Sequence, residues 1–364
     1  MTSPLFRRDR FARSGTLALL ASLLPLVASG CDQFDSSTHV QKIIFNLAAN
    51  KFSCDRQFTS DLDNVHVEYV EHVRSAGDGK SIVVELVSLN GKRREQISDP
   101  NQLAAFQNLA ARLATGGGAR ALFQRDPRID SIDRLSANYF VTPVEVGREK
   151  ISAAGEPSVT IKVEPKVKDR PFAVLTVSTA TQREGFPIEC QEYVYGPNGP
   201  FLTSDMHVTN LKWGDCGGDV EPPATNVSSR TDLATLDAAR LAAKTHGFDL
   251  YLPQDRSLPS GFVLVKAEEV AIDSTANAAH NLQRTTVYRF VYSDGLERID
   301  FVEHAPLDSI PSPFGTATSN DLVTITGFGS ISIATVVHAG TQIEIESRIA
   351  SDRFHRLMKS LVKL

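Results

Sequence analysis

The 364-residue chain holds only four cysteines, three methionines and one tryptophan, and no two cysteines form a C-x-x-C pair. Structural zinc and dithiol exchange need clustered sulfurs, so neither is supported. After residue 30 no apolar run reaches the roughly 20 residues that a spanning helix needs. A G-x-S-x-G elbow is missing, and "TGGGAR" (residues 115 to 120) follows a helical pattern without the Lys-Ser/Thr continuation of a phosphate loop. No excess of basic residues exists either: the net charge is −5, which argues against nucleic acid as a partner. With no nucleophile, base and orienting group to name together, the chain reads as a non-enzyme that needs no cofactor.

What is present begins at the N-terminus. Arg7, Arg8, Arg10 and Arg13 precede the apolar "TLALLASLLPLVASG" (residues 16 to 30), the order of a secretory signal. Ala28, Ser29 and Gly30 then stand directly before Cys31. This stretch resembles the lipobox of bacterial lipoproteins, with Ala28 where leucine is commoner. The resemblance implies cleavage before Cys31, a diacylglycerol on its thiol, and a chain anchored in the cell envelope, facing the periplasm or the cell exterior. Residues 1–30 carry four Arg and one Asp, so the mature part holds a charge of −8.

Cys54, Cys190 and Cys216 remain, an odd number in an oxidising compartment, which permits one internal bridge at most. Cys54 and Cys216 sit in polar, turn-like flanks and are the candidate pair. Cys190 alternates with Ile188 in a strand pattern and reads as a small buried hydrophobe.

Beyond a tether at 31–37, "HVQKIIFNLAANKF" has helical spacing, and "VHVEYVEHV" then switches to period two. "SIVVELVSL" returns after the turn "SAGDGK". "DPNQLAAFQNLAARLA" reads as an amphipathic helix that must cover something, with Leu103, Phe106, Leu109, Ala110 and Leu113 on one stripe. From Asn138 to Trp213 strands follow one another, and "YGPNGP" turns the last hairpin. The Gly/Pro/Ser/Thr-rich stretch 217–232 marks a linker between domains at 38–216 and 233–364. In the second, a helix stopped by Gly247 and a terminal helix carrying Phe354, Leu357, Met358 and Leu361 flank an antiparallel sheet. The fold expected is α+β: a curved antiparallel half-barrel sheet with covering helices, plus a smaller α+β C-terminal domain.

Several polar groups invite a site and are weighed against solvation. His66, Glu68 and His72 share one strand face, but the two histidines lie about 20 Å apart along an extended chain, too far for one ion. Lys162, Lys166, Lys168 and Arg170 read as solubilising cations at strand ends, or as contacts to acidic lipid headgroups. Glu268 and Glu269 alternate sides and read as solvated.

Leu258, Pro259, Gly261 and Phe262, followed by Tyr292, Ser293, Asp294, Gly295 and Leu296, resemble the C-terminal domain of the MucB/RseB family of envelope-stress regulators. Upstream, "VTIKVEP" and "GFPIECQEYVYGPNGPFLTSDMHVTNLKW" resemble that family's N-terminal domain, which is similar to the LolA/LolB lipoprotein-carrier fold. The resemblance implies a non-enzymatic envelope protein that binds a partner of the anti-sigma-factor type and senses lipid. Alternatives are a lipid or lipoprotein carrier or acceptor, and a lipoprotein hydrolase. A carrier's apolar groove would be lined by Phe172 and Val174 on one face of a strand, or by Leu175 and Val177 on the other.

Overall fold

Period-two alternation dominates the chain, and the computed structural model shows eighteen strands and four α-helices among the described residues. These are residues 50–62, 65–78, 82–114, 132–144, 150–170, 172–181, 186–218, 220, 227–274, 283–305, 324–328, 331–348 and 351–364. The signal, Cys31, the tether, residues 39–49 of the first expected helix and "TGGGAR" lie outside them. No described helix is long and apolar enough to cross a membrane.

The first sheet holds β1 (Lys51–Leu62), β2 (Val65–Ala76), β3 (Ile82–Leu89), β4 (Tyr139–Pro143), β5 (Lys150–Ile151), β6 (Pro157–Pro165), β7 (Val174–Ala180), β8 (Pro187–Gly196) and β9 (Gly199–Trp213). Its order is β3-β2-β1-β9-β8-β7-β6-β4, with β5 also on β6, and every pairing is antiparallel. Bulges at Ser53/Asp55, Val70/Glu71, Ser178/Thr179 and Glu192/Tyr193 interrupt the ladder and bend it into a curved, open sheet. Helix α1 (Pro100–Ala114) starts where Asp99 Oδ1 accepts the Asn101 and Gln102 amides, and Phe106 and Leu109 bury the expected stripe. Leu109 joins Phe52, Phe58, Tyr69, Val73, Ile188, Met206 and Val208 in the core of this half.

Strand β1 occupies a stretch where the spacing predicts a helix to Phe52 and a turn-like flank around Cys54. It is a central strand, joined to both β2 and β9. Its buried alternation Phe52, Cys54, Phe58 is broken by Arg56, which lies directly opposite Glu71 and pairs with it inside the apolar face. Glu71 occupies the same odd register as Val67, Tyr69 and Val73, so a carboxylate on the apolar face was legible in the spacing.

The bridge expected between Cys54 and Cys216 is not formed here: Cys54, Cys190 and Cys216 are free thiols. Cys54 is sealed in the core, and the Cys216 thiol donates to the Gly218 carbonyl at 3.1 Å in the turn after β9. Burial pushes the Cys54 and Cys190 thiols up to about 12. With almost no thiolate at neutral pH, both are expected to resist iodoacetamide in the native protein and to react on unfolding, as read by peptide mass spectrometry. Fast native labelling of Cys54, which is sealed in the core, would contradict its burial.

The second sheet runs β10-β12-β13-β14-β17-β16-β15 and is again antiparallel throughout. Its strands are β10 (Val227–Asp232), β12 (Val263–Ser274), β13 (Gln283–Ser293), β14 (Arg298–His304), β15 (Thr324–Phe328), β16 (Ile331–His338) and β17 (Thr341–Ser347). β10 takes up the last residues of the stretch expected to be linker. Helix α3 (Leu236–Thr245) is capped by the Thr235 hydroxyl, which accepts from the Ala238 amide, and ends before Gly247 at φ +82°. Helix α4 (Ser351–Lys359) seats Phe354, Leu357 and Met358 on Tyr288, Phe290, Phe301 and Ile345, in a core that shares no residue with that of the first half. α4 stops earlier than expected: Leu361 belongs to β18 (Leu361–Lys363), which pairs with β11 (Tyr251–Pro253).

The other face of this sheet corrects the solvated reading of Glu268. Glu268 is buried, bonded by Lys266 and by Arg289 at 2.9 Å, and Arg289 reaches on to Asp300 at 2.9 Å. Burial works against its charge, yet Lys266 and Arg289 hold the Glu268 carboxyl below its usual range. Glu269, on the opposite side, accepts from the Tyr288 hydroxyl.

Candidate functional site

Among the described residues, two further polar places are candidates for a site: the joint between the two sheets and a cleft on the first sheet. The joint is built on the Ser293-Asp294-Gly295 turn between β13 and β14. Hairpin tips usually face water, but here Ser293, Asp294 and Leu296 are buried against the first half. Asp294 Oδ1 accepts the Leu296 and Glu297 amides at 3.0 and 2.7 Å, forming the turn. Its Oδ2 accepts the Tyr139 hydroxyl at 2.5 Å and meets Arg170 Nε at 2.5 Å. Asn138, which ends helix α2 (Ile132–Asn138), donates to the Asp294 carbonyl at 2.8 Å.

Glycine is required at the tip for two reasons. Gly295 has φ +106°, and a Cβ there would collide with the backbone of Arg134 and Leu135. A second contact closes alongside: Arg170 donates to the Ser260 carbonyl, and Asp169 Oδ2 accepts the Ser260 amide at 2.9 Å. Arg170 also lies 5.1 Å from the Phe262 ring and 5.8 Å from that of Tyr139. Arg170 is therefore not the solubilising cation its neighbours suggested. Burial pushes the Asp294 carboxyl up against the pull of Arg170 and its hydrogen bonds. For Arg170, burial opposes the charge, but Asp294, Tyr139 and Asp169 outweigh it and raise the pKa.

A second cation enters from the second half. Arg348, just after β17, pairs with Glu192 on β8, reaches Glu297 at 3.5 Å, and lies 6.0 Å from the Phe172 ring. Sequence reasoning singled out neither Arg348 nor Glu192. Each looks like an ordinary strand-end or strand-face charge until the two sheets are apposed.

The cleft lies on the opposite face of the first sheet from the core and has a volume of about 600 Å³. Its floor is polar: Thr160, Thr176, Ser178, Glu189, Gln191 and His207, with Val144 and Ile151 at its wall. The Thr160 and Ser178 hydroxyls are 2.8 Å apart, and Ser178 donates to Glu189 at 3.3 Å. His207 bonds Gln57 at 3.2 Å and faces Asp205 at 3.8 Å. Such a floor offers hydroxyl, amide and carboxylate contacts to a polar ligand, and no Ser–His hydrogen bond is described in it.

The four expected groove residues do not line one space. Leu175 and Val177 are fully buried on the inner face, and Phe172 is stacked on Tyr139 at the joint. Val174, half-buried, turns to the outer face with Thr176. His66 and His72, weighed as metal ligands, face Asp61 at 2.6 Å and Asp55 at 2.7 Å respectively, across separate rungs of β1 and β2.

No protein-family model matches the chain, and no curated protein does. Among solved structures, the chain is similar to MucB in complex with MucA(peri), at 14% identity over 90% of this chain and 99% of that one, with a TM-score of 0.46. The MucA/MucB complex of Pseudomonas aeruginosa gives the same values. A LolA superfamily protein from Nitrosomonas europaea is similar at 14% identity over 50% of this chain and 94% of that one, with a TM-score of 0.20.

Proposed function

We propose that this chain is a lipid-anchored envelope protein that binds another protein, as a MucB/RseB-like regulator does, with a membrane-bound protein of the anti-sigma-factor type as its partner. The observation that carries this reading is where the motif residues fall. Gly261, Phe262, Ser293, Asp294 and Gly295, the residues that bear the family resemblance, converge on the buried joint. What they secure is the relative placement of two sheets, which is what a binding surface spanning both would need.

The carrier alternative is less well supported. An acyl chain on the inner face would meet the Arg56–Glu71 and Glu192–Arg348 pairs, and uncompensated contact between alkyl chains and buried charges is costly.

The test uses the full-length chain with a C-terminal tag, produced in a bacterium with and without Cys31→Ser. Wild type is expected in the membrane fraction, bearing a metabolically incorporated fatty acid. The variant is expected in the soluble fraction, unlabelled. Cross-linking before extraction is expected to capture one membrane protein with an envelope-facing segment. A Cys31→Ser variant still fixed to membranes would overturn the anchor, and capture of no protein would overturn the regulator reading.

A further inference from the structure

The outer face of the first sheet carries an aromatic and basic strip that neither the joint nor the cores use. Antiparallel register places Phe140 opposite Glu164, Val174 opposite Tyr193, and Tyr193 opposite Leu202, forming one row across the strands. Tyr195 follows Tyr193 on the same face. Phe140, Tyr195 and Leu202 are 57%, 58% and 43% exposed, far more than such side chains are in a packed sheet.

Lysines stand over the rings. Lys166 Nζ lies 5.1 Å from the Phe140 ring, and Lys168 Nζ lies 5.8 Å from that of Tyr195, both projecting from the turn after β6. Lys162 shares the face, bridged to Glu164 at 2.8 Å. In a mature chain of charge −8, this strip gathers three cations against one carboxylate. Exposed aromatic rings with lysines beside them match the interfacial zone of a bilayer, where rings sit at headgroup depth and ammonium groups meet lipid phosphates.

The geometry points to this strip as a docking surface for an anionic phospholipid bilayer, laying the first sheet's outer face on the membrane. The inference rests on the lipid-anchor reading for its occupant: the 19 residues between Cys31 and the start of β1 can span at most about 65 Å, enough to let the body lie down beside its anchor.

The mature chain carrying Cys31→Ser, and so no lipid, is co-sedimented with vesicles of phosphatidylcholine alone and of phosphatidylcholine mixed with phosphatidylglycerol. Binding is expected only to the mixed vesicles, and is expected to weaken as salt rises. Lys166→Glu with Lys168→Glu should weaken it by more than about tenfold. Phe140→Ser with Tyr195→Ser should remove a part that salt does not screen. All four side chains are exposed or on turns, so circular dichroism and thermal midpoints should match wild type. Equal binding to both vesicle types, indifference to the lysine reversal, or retention of an acidic soluble protein with no vesicle binding would each overturn the proposal. Because the vesicle assay contains no acylated Cys31, its failure is separate from failure of the anchor in cells.

Discussion

Asp294→Ala is expected to destabilise the chain by about 3–5 kcal/mol, measured as a loss of unfolding free energy in urea. The size follows from what one carboxylate holds. Its removal strands the Leu296 and Glu297 amides and the Tyr139 hydroxyl in a buried place, and leaves Arg170 with Asp169 as its remaining counter-charge. Each stranded neutral group costs about 1–3 kcal/mol, while Arg170 keeps its contacts to Asp169 and the Ser260 carbonyl. Combining Asp294→Ala with Arg170→Met should recover part of the loss, because the cation then no longer needs a counter-charge.

The same variant should also uncouple the halves. Their cores share no residue, and the joint is the densest polar link between them. The only tryptophan, Trp213, lies in the first half, so its fluorescence reports that half while far-ultraviolet circular dichroism reports both. In wild type the two transitions are expected to coincide, and in Asp294→Ala to separate. Coincident transitions at an unchanged midpoint in the variant would show that the joint contributes neither stability nor coupling.

The fold was legible where one physical signal acted alone. Alternation identified β2, β6, β7, β8 and β9, and helical stripes identified α1, α3 and most of α4. It failed where a charge stood on an apolar face: Arg56 hid β1, and Glu71 was passed over in a strand otherwise read correctly. The joint was half legible. A Ser-Asp-Gly turn with positive φ at glycine could be read from local chemistry, and Gly295 has that conformation. That this tip is buried, with Arg170 from the other half as its counter-ion, depends on contacts 124 residues apart, and local pattern carries no record of them. Arg348 and Glu192 were invisible for the same reason. The expected groove failed differently: both faces of β7 are apolar enough to bury, and only the packed structure shows that Leu175 and Val177 are sealed while Val174 turns outward.

A second large effect is expected from Glu303, a carboxyl at the end of β14 with no exposure to solvent. The Tyr251 amide donates to its Oε2 at 2.8 Å, and among the described residues no cation pairs with it. Burial therefore pushes the carboxyl well above the usual carboxylate range, against the small opposing pull of that amide. The sign follows directly. A folded-state pKa above the unfolded one means that the folded chain keeps a proton the unfolded chain releases. Stability from this group is fully present below the ordinary carboxylate pKa and is lost as pH rises toward the raised one. Each pH unit crossed in that window removes about 1.4 kcal/mol. Glu303→Gln, whose amide oxygen can still accept from Tyr251, should cancel this slope, making the variant less pH-sensitive than wild type and more stable toward neutral and alkaline pH. Urea midpoints across the window measure the difference between the two proteins, which removes the contribution of every other titrating group. Parallel pH profiles for wild type and Glu303→Gln would mean that Glu303 ionises in the folded chain as readily as in the unfolded one, and the burial argument would fail.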